Sequence, residues 1–237
     1  MRRRPVQLEL AFRTWGGKRA NAGRKRREAR RGFVGHGARP RHVERTPVHA
    51  SARRVAAGPV LREQRVYAEL RRVLARSSEK GFRVLHFSVQ RDHLHLIVEA
   101  EGNLALSRGM QRLLSRAAHA VNAITGRSGK LWRDRYHRED LASPRQVRNA
   151  YVYVLFNERK HGAMKRVDGV YQLDRCSSAA WFTGWSPRAA PDGAQLTRAG
   201  PSIVSPARSW LATTGWKRRG LLRVDEAPRV PARSTTT

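Results

Sequence analysis

Apolar and polar positions along the middle of the chain alternate between two periods. From Thr46 to Val55 the run TPVHASARRV mixes β-branched and small residues and predicts a first strand. Pro59 then opens a stretch to about Ser78 in which Val66, Leu70 and Val73, with Tyr67 and Leu74, recur every three or four residues, the spacing of a helix. Phe82 to Gln90 alternates as a strand, Gln90-Arg91-Asp92 is a turn, and His93 to Glu99 is the returning strand. Leu106, Met110, Leu113, Leu114, Ala117, Val121 and Ile124 form one apolar face of a second helix, from about Leu104 to Thr125. Arg135 to Leu141 reads as a short strand. Ser143-Pro144-Arg145-Gln146 then supplies an N-cap, a proline at the first helical position and a Gln three residues after the cap, predicting a last helix to about Lys160. The order is β-α-β-β-α-β-α. The expected fold class is α+β: a ferredoxin-like βαββαβ sheet with an added helix at its C-terminal end. That topology hosts many chemistries and decides none of them.

Composition narrows the function. The 237 residues hold 49 Lys+Arg against 18 Asp+Glu, a net charge of +31, which points to a polyanionic partner and away from an ordinary metabolic enzyme. A hydrophobic content of 40% is enough for a core. No apolar run approaches the ~20 residues of a membrane span, and the basic N-terminus lacks the apolar stretch of a signal peptide. A single cysteine, Cys176, excludes an internal disulfide framework and a multi-cysteine zinc site, and fits a reducing cytoplasm.

The charge is uneven. Residues 1–54 carry 17 Lys/Arg and three Glu. The Gly-, Ala- and Arg-rich stretch from Gly16 to Gly37 reads as a flexible basic arm. Within it Arg24, Lys25, Arg26 and Arg27 follow Gly23, a segment suited either to entering a narrow minor groove or to non-specific phosphate contact. Arg108, Arg112 and Arg116 lie at i, i+4 and i+8 on the polar side of the second helix, a stripe that is either solvated or a phosphate track. These seven cations are the candidate DNA contacts. The chain divides into a basic arm (1–42), a folded domain (43–165) and an extension (166–237). In the extension 187–208 is linker-like, while Trp181, Phe182 and Trp185 either stack on bases or pack as a lid.

Two places carry candidate chemistry. Along a strand, side chains alternate faces, so His93 and His95 point the same way while Leu94, Leu96 and Val98 point to the core. Two imidazoles so placed either share a divalent ion or are surface histidines of an amphipathic strand. On the last helix Val147, Ala150, Tyr151, Val154 and Leu155 make the apolar face. Tyr153 and Asn157, four apart, stack on its flank. Tyr151 is then structural, and Tyr153 either packs half-buried or reaches a site.

His-x-His followed by Tyr-x-x-x-Asn on a late helix of a ferredoxin-like order resembles the HUH endonucleases with a single catalytic tyrosine. More closely it resembles the REP-associated tyrosine transposases. The resemblance is carried by Gly16-Gly17-Lys18-Arg19, Ala22 to Lys25, Asp92 to Val98, Asp134 to His137, Pro144 to Ala150, Tyr153 to Asn157, Ser177 to Phe182, Gly184-Trp185, Ser209 to Leu211 and Gly215 to Leu222. Asn157-Glu158-Arg159-Lys160 stands where another branch has Asn-Pro-Val-Arg. The resemblance implies that His93, His95 and Asn157 hold Mg²⁺ or Mn²⁺. It also implies that Tyr153 attacks phosphorus to give a 5′-phosphotyrosyl intermediate and a free 3′-OH, on single-stranded or hairpin DNA. It places the protein, as monomer or homodimer, in the cytoplasm at the nucleoid. Two other classes stand beside it: a non-cleaving DNA- or RNA-binding regulator, and a zinc protein using His93 and His95, which lacks a third soft or imidazole ligand nearby.

Overall fold

The computed structural model describes residues 37, 39–157, 166–167, 170–171, 173–186 and 200–226. Their regular elements begin with β1 (Val48–Arg53), α1 (Gln64–Ala75), β2 (Phe82–Val89), β3 (His93–Ala100), α2 (Asn103–Thr125), β4 (His137–Asp140) and α3 (Pro144–Leu155). A two-stranded hairpin of β5 (Arg166–Val167) and β6 (Val170–Tyr171) follows, then a 3₁₀ turn at Ala179–Trp181, α4 (Trp210–Thr213) and a 3₁₀ turn at Gly215–Arg219.

β1 to β4 form one antiparallel sheet in the order β2-β3-β1-β4. This is the ferredoxin-like order predicted from the alternation of periods. Even-numbered residues of β1 and β3 (Val48, Ala50 and Ala52; Leu94, Leu96 and Val98) face one layer, where they pack with Val66, Leu70 and Leu74 of α1 and the apolar stripe of α2. Ile97 and Leu85 face the other layer, beneath Val147, Tyr151, Val154 and Leu155 of α3. The sheet is therefore covered on both sides.

Three local departures have physical causes. First, α1 starts at Gln64, not Pro59, because the preceding segment is spent in turns: Leu61 N–H donates to Arg91 O and Glu63 N–H to Val60 O. Second, β2 carries an irregularity between Val84 and His86. The extra residue turns Leu85 and His86 together towards α3, while Val84 and Phe87 stay in the first core. Third, α3 closes early, with Phe156 N–H on Val152 O. Asn157 thus follows a break in the helix, and the predicted extension to Lys160 falls outside the described residues. One glycine is a packing requirement: a Cβ on Gly109 of α2 would stand 2.2 Å from the Phe82 ring.

Residues beyond α3 complete the second layer. Of the predicted aromatic cluster, Phe182 is buried there with Trp216, Trp185 is half-buried against Phe156 and Phe182, and Trp181 is buried in the first core, so the cluster packs as a lid. At the other end of the chain, Arg39 lies over the Tyr136 ring at 3.9 Å and His42 Nε2 bonds Ala100 O at 3.0 Å, which docks the last residues of the predicted arm on the domain.

Candidate active site

The α3-facing side of the sheet is polar at its middle. Register places Ser51 opposite both His95 and His137, Arg53 opposite His93, and His49 opposite Glu139. Alternation alone predicts that His93 and His95 share this face, and they do, with ring centroids 4.6 Å apart. The face is not open, however. α3 lies across it, and His95 is only 5% exposed.

α3 is started by the Ser143 side chain, which accepts from Gln146 N–H, with Pro144 at the first position. Its two tyrosines part ways as helical spacing predicts. Tyr151 is 2% exposed, its hydroxyl donates to Ala212 O at 3.1 Å, and burial raises its pKa. Tyr153 stands edge-on to His95 (5.1 Å, 85°) and to His49 (5.6 Å, 67°). Asn157 is 1% exposed, and neither its Oδ1 nor its Nδ2 has a hydrogen-bond partner among the described residues. A buried amide in that state is poised for a partner that the described residues do not supply.

Each histidine of the pair has a neighbour on Nδ1. His93 Nδ1 lies 2.6 Å from Asp92 Oδ1, and Asp92 is paired with Arg53 at 2.8 Å. Burial pushes the Asp92 carboxyl up, but the His93 hydrogen bond and the Arg53 charge outweigh it and hold it below its ordinary value. His95 Nδ1 lies 3.2 Å from Nε2 of His49, and the two rings stack at 5.3 Å. His49 in turn faces Glu139 at 3.7 Å, and the nearby His49 ring lowers the Glu139 pKa against the opposing effect of burial. Among the described residues no cluster of three or more His, Cys, Asp or Glu gathers to hold a metal. The donor types present for a hard divalent ion are therefore two adjacent imidazoles, and an amide such as that of Asn157 is of the kind that completes such a set.

His49, His95, His137, Glu139 and Tyr153 line a cleft of about 970 Å³, while His93 and Asn157 are not among its lining residues. Arg145 and Arg219 stand exposed at its rim. Arg148 is engaged there, donating to Gly220 O and pairing with Glu226 at 2.7 Å. His49, Glu139 and Arg219 are the site residues that sequence reasoning missed. The parity of His49 with Ser51 on β1 was a signal, but only strand register brings it to His95.

The three predicted cations among the described residues lie elsewhere. Arg108, Arg112 and Arg116 are exposed on α2, across the sheet from Tyr153. Arg112 pairs with Glu79, and Arg116 reaches Arg76 O at 3.5 Å. Arg24, Lys25, Arg26 and Arg27 lie outside the described residues. A second cleft of about 890 Å³ opens between α2 and the loop before β4, with Arg39, Lys130, Arg135 and Arg138 on its walls. No described helix is long and apolar enough to cross a membrane.

No protein of curated function matches the chain. Among solved structures it is similar to a REP-associated tyrosine transposase bound to a REP hairpin, at 18% identity and a TM-score of 0.48, covering 61% of this chain and 82% of that one. The span from β1 through nearly all of α3 is more telling, since it contains His93, His95 and Tyr153. Residues 48–154 match the family model described as the IS200-like transposases.

Proposed function

We propose that the chain is a metal-dependent, single-tyrosine transposase and endonuclease of the REP-associated branch, acting on single-stranded or hairpin DNA. The observation that carries this reading is the seating of Tyr153 edge-on to His95, one of two adjacent histidines, while Tyr151 two residues away is sealed in the core.

The phenol of Tyr153 gives up its proton to solvent as its oxygen attacks the scissile phosphorus. The bond from phosphorus to the 3′-oxygen breaks, the 3′-oxygen leaves and takes up a proton, and the 5′ end stays on the tyrosine as a phosphodiester. The bond energy is kept, so an incoming 3′-OH reverses the step and joins a new end without ATP. A Mg²⁺ or Mn²⁺ ion held by His93, His95 and Asn157 would supply positive charge to offset what develops on the phosphate. Arg145 and Arg219 at the rim suit the flanking phosphates. In-line attack needs a backbone that bends freely, which favours unpaired DNA beside a hairpin.

In this reading residues 43–165 are the catalytic domain, 1–42 a DNA-binding arm and 166–237 an extension whose C-terminal turn brings Arg219 to the cleft. The protein would work as a monomer or homodimer at the nucleoid.

The test is incubation with labelled single-stranded DNA carrying repeat hairpins and Mn²⁺, followed by a denaturing gel. A band of protein-linked label supports the reading. Tight binding with no such band supports a non-cleaving regulator instead.

A further inference from the structure

We propose that His49, backed by Glu139, is a positioning residue for His95: it selects the tautomer in which His95 Nδ1 carries the proton and Nε2 carries the lone pair. The proposal rests on the reading of His93 and His95 as metal ligands.

Two neutral imidazoles that share a hydrogen bond need one donor and one acceptor. The contact between His49 Nε2 and His95 Nδ1, at 3.2 Å, does not say which is which. Glu139 does. Its carboxylate, which only accepts, faces the other nitrogen of His49, Nδ1, at 3.7 Å. A proton on His49 Nδ1 is favoured there, so Nε2 of the same ring is left as the acceptor. His95 Nδ1 must then donate, and the lone pair of His95 falls on Nε2.

The neighbouring histidine reaches the same state by a shorter route. His93 Nδ1 lies 2.6 Å from Asp92 Oδ1, so it donates, and Nε2 again carries the lone pair. Both rings of the His-x-His pair are thus ended by carboxylates, one directly and one through a third imidazole. Such outer partners fix ring orientation and raise ligand basicity, and their loss costs roughly 10–100-fold in metal affinity. Packing adds to the effect: His49 stacks on His95 and meets Tyr153 edge-on, so one side chain braces both the candidate ligand and the candidate nucleophile.

The experiment uses the full chain without DNA. Mn²⁺ affinity is measured by calorimetry for the wild type, His95→Ala, His49→Phe, His49→Gln and Glu139→Ala, and ¹⁵N spectra of the histidine rings report the tautomers without metal. His49→Phe keeps a ring against Tyr153 but removes both nitrogens, and should weaken Mn²⁺ roughly 10–100-fold. His49→Gln, whose amide oxygen can accept from His95 Nδ1, should recover most of that loss. Glu139→Ala should weaken binding less. The wild-type spectrum should show His95 protonated at Nδ1, and His49→Phe should shift it towards Nε2. Wild-type affinity in His49→Phe, or a wild-type His95 protonated at Nε2, overturns the proposal. Wild-type affinity in His95→Ala instead removes the ligand reading itself, and the proposal with it.

Discussion

The Tyr151 hydroxyl donates to the carbonyl of Ala212 at 3.1 Å, tying α3 to the small helix α4 through the core. Two residues on, Tyr153 lies against His95 and lines the cleft. One helix thus carries a structural and a candidate catalytic tyrosine, separated by about 200° of rotation.

From that separation follows the first prediction. Tyr153→Phe should abolish the covalent protein–DNA band while DNA affinity, measured by anisotropy, changes by no more than a few-fold. Tyr151→Phe should keep cleavage but lose about 1 kcal/mol of stability, since it leaves the Ala212 carbonyl without its partner. Cleavage that depends on Tyr151 and survives loss of Tyr153 would reverse the assignment.

The two histidines should also differ. His95 is buried against Tyr153 and His49, whereas His93 is more exposed and lies at the end of its strand. His93→Ala should therefore weaken Mn²⁺ binding with little change in melting temperature. His95→Ala should weaken it as well and cost about 1–3 kcal/mol in packing. Equal melting curves for the two variants would contradict the burial difference.

Much of this was legible in the chain because period and parity are local properties. Alternation in β3 places His93 with His95, and 3.6-residue spacing separates Tyr151 from Tyr153. The rest depends on which strands meet. Nothing in TPVHASARRV says that His49 will stack on His95, because that contact requires β1 to pair between β3 and β4. The irregularity at Val84/His86 breaks alternation in a run that reads as a regular strand, and so hides His86 on the α3 side. The packing of the extension on α3 was legible only as one of two readings of Trp181, Phe182 and Trp185, because the short turns after residue 173 have no period to read.

Glu99 carries a third prediction. It is 1% exposed on β3 and fully engaged, accepting from the backbone N–H groups of Arg208 and Ser209, both at 2.9 Å, and from Arg83. It anchors the segment that leads into α4. Glu99→Ala would leave two backbone donors without their acceptor, at a cost of about 1–3 kcal/mol for each, while Arg83 keeps Glu101 at 3.5 Å. Glu99→Gln should cost less. Proteolysis should show earlier cleavage after residue 200 in Glu99→Ala, and a melting temperature equal to wild type would refute the anchoring role.

His86 makes stability depend on pH. Its ring packs against Tyr151 and Phe182, and burial pushes its pKa down from 6.5 to about 3. Between those values the unfolded chain binds a proton that the folded chain does not, so stability rises with pH and is lost as pH falls from about 6.5 towards 3. At about 1.4 kcal/mol per unit the full effect is about 5 kcal/mol. That is an upper bound, because part of the residue's surface still reaches water. His86→Gln, which can keep a hydrogen bond to Ser178, should flatten the fall in melting temperature between pH 6.5 and 4. An equal slope in the variant would assign the acid sensitivity to other groups.

The last prediction concerns the basic arm. Removing residues 1–37 deletes twelve Lys/Arg and two Glu. Every phosphate that the arm neutralises steepens the dependence of log affinity on log salt by roughly 0.7–0.9, so its removal should flatten that dependence. Not all twelve cations can touch DNA at once, so a slope change of about 3–6 is expected. Tyr153, His93, His95 and Asn157 all lie outside the deleted segment, so cleavage at saturating DNA should survive and the defect should appear in affinity. If Ala22 to Arg27 enters a minor groove, the defect should be greatest for hairpins with an A·T-rich stem, where that groove is narrow and its potential most negative. An unchanged salt slope would reject the arm as a DNA-binding element. An equal defect for all stems would keep the arm on the phosphates and reject the groove.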